Sequence, residues 1–422
     1  MNYKLNNFVN ISSSTPLTHD HSVGFHDIRP FNSINNSLIV LHRYPLNCIG
    51  FKSQNIDIEI CIWDFINSKI EKIDITDTWS WEQGSRVQWI SENELIYNKR
   101  NNGKIVSCVY DINKKSKKVI NNSVYSINKN KQFLNINFSR LWKLWKSYGY
   151  YSPLNTQGYE KKPDNDGVFI CDLDNNKELI LSINSAVHLC KLEKIDKFFF
   201  LCHPTFNPDG TKFISLLRFF NDSGALITYL ICTDIKSKNS KVLARERVSH
   251  FEWLNNDKLV VWCRNLNSTL TNLRFNKFVE KIVISNIKKL LNFTKKEFKT
   301  KILSTHYHVI NLKNPDKLIK LNEKLLTEDG HPQISPNGRY LITDTYENEN
   351  GTQKLLLYDL IDKKLYKLGE FKIAKYLKNN NLKCDLHPRW SHDGNYINID
   401  SSHDGSRQNY NINIEKLIKQ LN

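Results

Sequence analysis

Apolar and polar residues alternate along this chain in short runs, and polar turns separate the runs. The clearest example is residues 384–410, CDLHPRWSHDGNYINIDSSHDGSRQNY. A His-Pro pair leads through Trp390 to a turn at His392-Asp393-Gly394, and an alternating run follows through Tyr396, Ile397 and Ile399. A polar turn over 401–406 then hands over to a second run around Tyr410, Ile412 and Ile414. Asp-Gly between alternating runs marks a hairpin, because glycine accepts the positive φ that such turns need. The stretch therefore predicts a small antiparallel meander.

The same phrase recurs as GHPQISPNGRYLITD at 330–344 and HPTFNPDGTKFISL at 203–216. Weaker copies begin at Ser249 (SHFEWLNNDKLVVW), Val124 (VYSINKNKQFLNI), Val87 (VQWISENELIYN) and Ile28 (IRPFNSINNSLIVL). This makes about seven units spaced by roughly 40–60 residues, the range that signals propeller blades. One such sheet cannot bury both of its faces, so neighbours must stack around a common axis. The expectation is a single all-β domain over 1–422, a seven-bladed β-propeller of four-stranded antiparallel blades. Residues 1–22 form an arm or closing strand, and 140–166 form an inserted loop in blade three. Within 270–304, Phe278, Val279, Ile282, Val283, Ile287, Leu290 and Leu291 recur at helical spacing among lysines. That period predicts a helical insertion in blade five, packed on the rim or offered to a protein partner or a membrane surface.

Composition narrows the class. No run approaches the ~18 apolar residues of a membrane span, and the first residues carry no apolar block of a secretory signal. The nine cysteines form no C-x-x-C pair, and Cys61, Cys108, Cys171 and Cys232 each sit in an apolar run shortly before an Asp. They read as buried small residues of a reducing compartment, so the cytoplasm is expected. The formal charge of +17 fits a polyanionic partner such as a uronate glycan, and equally a lysine-rich solvated surface. Nucleic acid is not expected, since no alternating basic and aromatic surface accompanies the charge. No phosphate-binding G-x-x-x-x-G-K-S/T, no G-x-S-x-G and no zinc-finger spacing occurs, which removes the support for nucleotide hydrolysis and ordinary esterase chemistry.

Candidate chemistry gathers at the openings of the repeats. His203, His250, His331 and His387 begin units, with His26 near the start of the first, and radial packing brings equivalent positions toward the axis. Imidazole binds divalent metal and acts as a base near neutral pH. On an extended strand, Asp385 and His387 share a face and can share a metal. Arg140, Arg218 and Arg389 lie beside these strands and can grip a carboxylate. Tyr148, Tyr150 or Tyr151, in the aromatic loop RLWKLWKSYGYYSPLNTQGYEKKPDND, can supply an acid. Together such groups can hold a uronate, remove the proton next to its carboxylate and protonate the departing O4, which is β-elimination. The same groups can epimerise C5.

GHPQISPNGRYLITDTY, the 384–410 stretch, HPTFNPDGTKF, SHFEW and WSWEQGSRVQW resemble the bacterial TolB-like, oligogalacturonate-lyase-like seven-bladed propellers over nearly the whole chain. The resemblance implies an axial groove for an acidic oligosaccharide, a histidine base, an arginine on the carboxylate and a divalent metal (Mn, Ca or Zn). Carried onto this chain, it implies His331 and His387 as metal ligands. Asp385 stands where pectate-type members place the second His of an H-x-H pair. His250 or His203 would be the base, and Leu217 precedes Arg218 where relatives often show His-Arg. The expected activity is metal-assisted β-elimination on a uronate-containing oligosaccharide. The alternative is a non-catalytic propeller that binds anionic glycan or scaffolds polysaccharide-processing enzymes.

Overall fold

The computed structural model describes residues 2–48, 56–152, 160–264 and 305–421. The expected helical insertion over 270–304, with the partner surface attached to it, lies outside the described residues. Seven antiparallel sheets make up the fold, six of four strands and one of five. Apart from two strands contributed by the N-terminal segment, each sheet is built from strands that follow one another along the chain. Blade four, for example, runs outward through Phe200–Phe206, Lys212–Phe220, Leu226–Asp234 and Ser240–Ala244.

Position in the blade decides burial pattern. Second strands are covered on both faces by neighbouring blades and lose their alternation, so all five residues of Tyr340–Asp344 are buried. Outermost strands face solvent and become polar, as in Ser116–Ile120, where only Ile120 is buried. All nine cysteines are buried as free thiols, and Cys61, Cys108, Cys171 and Cys232 all lie on third strands. Small apolar residues suit that narrow space between sheets.

The ring closes between the two ends of the chain. Asn10–Ser14 pairs with Gln408–Asn413 and becomes the outer strand of blade seven. Tyr3–Leu5 pairs with Leu365–Lys372 as a fifth strand on blade six. Asp20–Ser22 then enters blade one as its first strand. Among the described residues the helices are short, and none is long and apolar enough to cross a membrane.

A polar residue near the end of the second strand ties four of the blades to the next. Asp344 Oδ2 accepts from His387 N at 3.0 Å, and Asp400 Oδ1 accepts from Val23 N at 3.1 Å. Asn98 Oδ1 accepts from Val124 N at 2.8 Å, and His42 Nε2 accepts from Ser85 N at 2.9 Å. Each is the fifth residue counted from the start of its strand. The N–H at each blade entrance is buried outside any sheet ladder, so without such an acceptor it would be left unpaired.

Asp400 also pairs through Oδ2 with Arg389 at 3.0 Å, both side chains being fully buried. Removing one member of a buried ion pair leaves the other charge uncompensated. Asp400→Asn is therefore expected to lower the unfolding free energy by about 3–5 kcal/mol in urea titration. An unchanged midpoint would show that the pair contributes nothing to stability.

Candidate functional site

Five histidines from different blades meet around one phenylalanine. The Phe25 ring lies 4.6 Å from His26, 4.9 Å from His203 and 5.1 Å from His387, with His331 and His250 at 6.0 and 6.3 Å. Backbone irregularity turns them inward. The pairing register of blade four shifts between Cys202 and Thr205, and that of blade five between Val248 and Phe251. His203 and His250 occupy those bulges, which re-aim side chains that a regular strand would point elsewhere. His203 and His387 also adopt left-handed φ values of 54° and 45°. Non-glycine residues rarely hold that conformation, and where they do the surroundings fix it. Asp385 and His387 are therefore brought together by an irregular entrance segment and not by the extended strand that the sequence suggested.

Burial governs the charge of the cluster. His26, His203, His331 and His387 are all pushed well below the ordinary histidine range, first by desolvation and then by each other's charge or that of nearby arginines. They are neutral imidazoles near pH 7, the form that offers a lone pair. His331 Nδ1 lies 2.9 Å from Asp344 Oδ1, and His387 Nδ1 lies 3.0 Å from Gly24 O. Both partners are acceptors, so each Nδ1 carries the proton and each Nε2 the lone pair. His387 Nε2 is buried without a partner among the described residues.

Asp385 completes a trio in which each residue offers one ligand atom within 4.8 Å of the others. Its carboxyl is pushed well above the usual range, first by burial and then by Glu82 and Asp344. A cation at this position would relieve both the orphaned nitrogen and the buried carboxyl. Two imidazoles and one carboxylate suit manganese or zinc better than calcium, which takes about six to eight oxygens. Asp344 and the Gly24 carbonyl would orient the two rings from behind. Gly24 has φ 109°, and a Cβ there would stand 2.7 Å from Gln83 O. Only glycine brings that carbonyl into place.

Beside the trio opens a cavity of about 430 Å³. His203 and His250 line it together with Arg218, Tyr148, Tyr346 and Lys383. His250 Nδ1 lies 3.1 Å from Asp329 Oδ1, and its Nε2 lies 3.5 Å from the Tyr346 hydroxyl. The Arg218 guanidinium sits 4.9 Å over the Trp145 ring and bonds Thr228 Oγ1 through Nε, while its Nη1 is buried without a partner among the described residues. Tyr148 stacks on Trp145 at 3.8 Å. Burial first of all raises the Tyr148 and Tyr346 hydroxyls well above the ordinary tyrosine range, so both stay protonated.

Four residues proposed from sequence lie elsewhere. Tyr150 is fully buried, stacked on Phe138 at 4.1 Å, and its hydroxyl accepts from Asn98 Nδ2. Gly149 separates it from Tyr148, because a Cβ at 149 would sit 1.9 Å from Trp142 N. The chain therefore passes tightly behind the Phe138–Leu144 helix, with Tyr148 lining the cavity and Tyr150 in the core. Arg140 is committed to the carbonyls of Phe199 and Glu160, beside a separate, larger cavity next to blade three. Arg389 is held by the Gly24 carbonyl and Asp400. Both arginines are occupied by these contacts, and of the three only Arg218 lines the axial cavity. The Tyr151 ring packs against Trp142, outside the axial cavity.

Sequence reading also passed over Phe25, Tyr125, Asp329, Asp344 and Tyr346. A signal existed for Asp344, since YLITD in blade six and YINID in blade seven end alike.

Comparison with known proteins identifies the architecture. No family model matches the chain, and no curated protein does. Among solved structures, oligogalacturonate lyase from Vibrio parahaemolyticus aligns over 97% of both chains with a TM-score of 0.56 and 10% identity. The chain has the seven-bladed propeller fold of oligogalacturonate lyase. At that identity the likeness to the lyase is one of fold alone. An oligogalacturonate lyase in complex with manganese aligns over 98% of this chain and 96% of its own, at 10% identity and a TM-score of 0.39. TolB from Acinetobacter baumannii aligns over 85% and 78%, at 11% identity and 0.38. Both superpose too loosely to argue from.

Titration calorimetry with manganese or zinc tests the trio. His387→Asn tolerates the left-handed backbone and is expected to abolish binding, while Asp344→Asn should weaken it about 10- to 100-fold. Full affinity in His387→Asn would remove that residue from the site.

Proposed function

We propose that the protein binds an acidic oligosaccharide in the axial cavity and cleaves it by β-elimination next to a uronate carboxylate. The observation that carries this reading is the meeting of two groups in one cavity. One is a histidine oriented by a carboxylate, His250 on Asp329; the other is a guanidinium with a buried, unpaired nitrogen, Arg218.

Their roles follow from charge. Asp329 accepts the Nδ1 proton of His250 and leaves Nε2 free to take the proton at C5. The carbanion formed there spreads onto the uronate carboxylate, where Arg218 meets the growing negative charge, strengthened by its desolvated setting. Lys383, whose Nζ lies 4.8 Å over the Tyr346 ring, adds a second positive charge at the opposite wall. Tyr346 or Tyr148 gives its proton to O4 as the C4–O4 bond breaks. His331, Asp385 and His387 would hold a divalent cation next to His250, whose ring is 4.1 Å from that of His331. Such an ion would supply further electrostatic stabilisation of the uronate's negative charge.

Elimination leaves a double bond conjugated with the carboxylate, so ultraviolet absorbance on mixing with uronate oligosaccharides reads it directly. A rising signal is expected from the parent, lowered about 10²- to 10⁴-fold in rate by His250→Gln and about 10²- to 10³-fold by Arg218→Gln. Binding with a flat trace across gluco-, galacto-, manno- and guluronate oligomers would replace the lyase with a glycan-binding propeller. A changed C5 configuration without absorbance would indicate epimerisation.

A further inference from the structure

Two histidines line the axial cavity, and their partners differ in kind. His250 Nδ1 faces the carboxylate of Asp329, which can only accept while ionised. His203 Nδ1 lies 2.9 Å from the hydroxyl of Tyr125, which can donate or accept.

The surroundings of Tyr125 decide between these. Its side chain is fully buried, and His203 Nδ1 is its hydroxyl's only hydrogen-bond partner among the described residues. The Arg86 guanidinium lies 4.0 Å from the centre of its ring, and Phe138 stacks on it at 6.1 Å. Neither can accept a proton. If His203 Nδ1 carried the hydrogen, the Tyr125 O–H would be buried with nothing to donate to, a state that folded proteins avoid. If Tyr125 donates, its hydroxyl and His203 Nδ1 are both satisfied, and His203 Nε2 carries its proton. Arg86 holds the ring in position from the other side, because its Nη1 and Nη2 grip Asp27 at 2.7 and 3.0 Å while its Nε donates to the Tyr125 carbonyl at 2.8 Å.

We propose that Tyr125 fixes His203 as the Nε2–H tautomer, so that His203 meets an anionic ligand as a neutral hydrogen-bond donor while His250 meets it as an acceptor. The choice of ligand rests on the uronate reading; the tautomer does not. His203 is thereby assigned to the carboxylate side of the reaction with Arg218, and Tyr125 is a positioning residue behind it. Neutral donors of this kind stabilise developing oxyanion charge without adding a formal charge to a desolvated site. No proton leaves His203 in this role.

Histidine-selective ¹⁵N labelling of the full chain tests the assignment, with the His203 signals identified by their loss in His203→Gln. Long-range ¹H–¹⁵N correlation is expected to show His203 Nδ1 unprotonated and Nε2 protonated. Tyr125→Phe keeps the ring under Arg86 and should bring both nitrogens toward averaged shifts. The same substitution should weaken binding of a galacturonate oligosaccharide about tenfold, the share of one charge-assisted hydrogen bond. A proton on Nδ1 of the parent, or an unchanged spectrum in Tyr125→Phe, would overturn the proposal. The expected spectrum in a protein that binds no acidic oligosaccharide would support the tautomer and remove only the uronate reading.

Discussion

At four of the blade entrances a buried N–H must find an acceptor on the preceding blade, and this requirement organises the axis. Asp344 shows it most fully. One carboxylate takes the backbone N–H of His331, the ring of His331 and the backbone N–H of His387. Burial raises its pKa to about 6 even against those hydrogen bonds, so its ionised form depends on all three donors being in place. Joining blades six and seven and orienting the His331 imidazole are thus one interaction. Asp400 repeats the arrangement between blades seven and one, with an arginine where Asp344 has a histidine ring.

From that constraint follows an unusual kind of axial chemistry. Burial lowers the pKa of His26, His203, His331 and His387, packed against Phe25, and favours their neutral form, so their proton positions are set by their partners. A carboxylate or a carbonyl behind Nδ1 makes an acceptor of Nε2; a phenol behind Nδ1 makes a donor of it. His331, His387 and His250 fall in the first group and His203 in the second. Four residues of one type, placed by a repeated backbone, thereby present different hydrogen-bonding atoms according to what stands behind them.

The fold was legible because a propeller repeats its turn chemistry: His-Pro, an aromatic, a polar turn and a strand can be counted along the chain. The entrance histidines were legible for the same reason. What stood behind them was not, because it depends on which blade comes next and on where a register slips. Arg140 and Arg389 illustrate the limit. Each looked available beside a strand, yet each is occupied by backbone carbonyls, of Phe199 and of Gly24, that no side-chain pattern reveals. Tyr148 and Tyr150 illustrate it more finely. They are two residues apart, and Gly149 sends one to the cavity and the other to the core.

The closing strand has a consequence for how the molecule is made. Ser12 bonds Asn411 across 399 positions of sequence, so residues 10–14 leave the ribosome long before their partners exist. At about 5–20 residues per second, that edge waits some 20 s or more during translation. Until then the 10–14 strand lacks the blade it completes and the ring stands open, with strand edges free to pair with another nascent chain. Ser13 and Ser14, polar β-edge residues in a segment of low hydrophobicity, suit a strand that must stay soluble alone before it completes the circle.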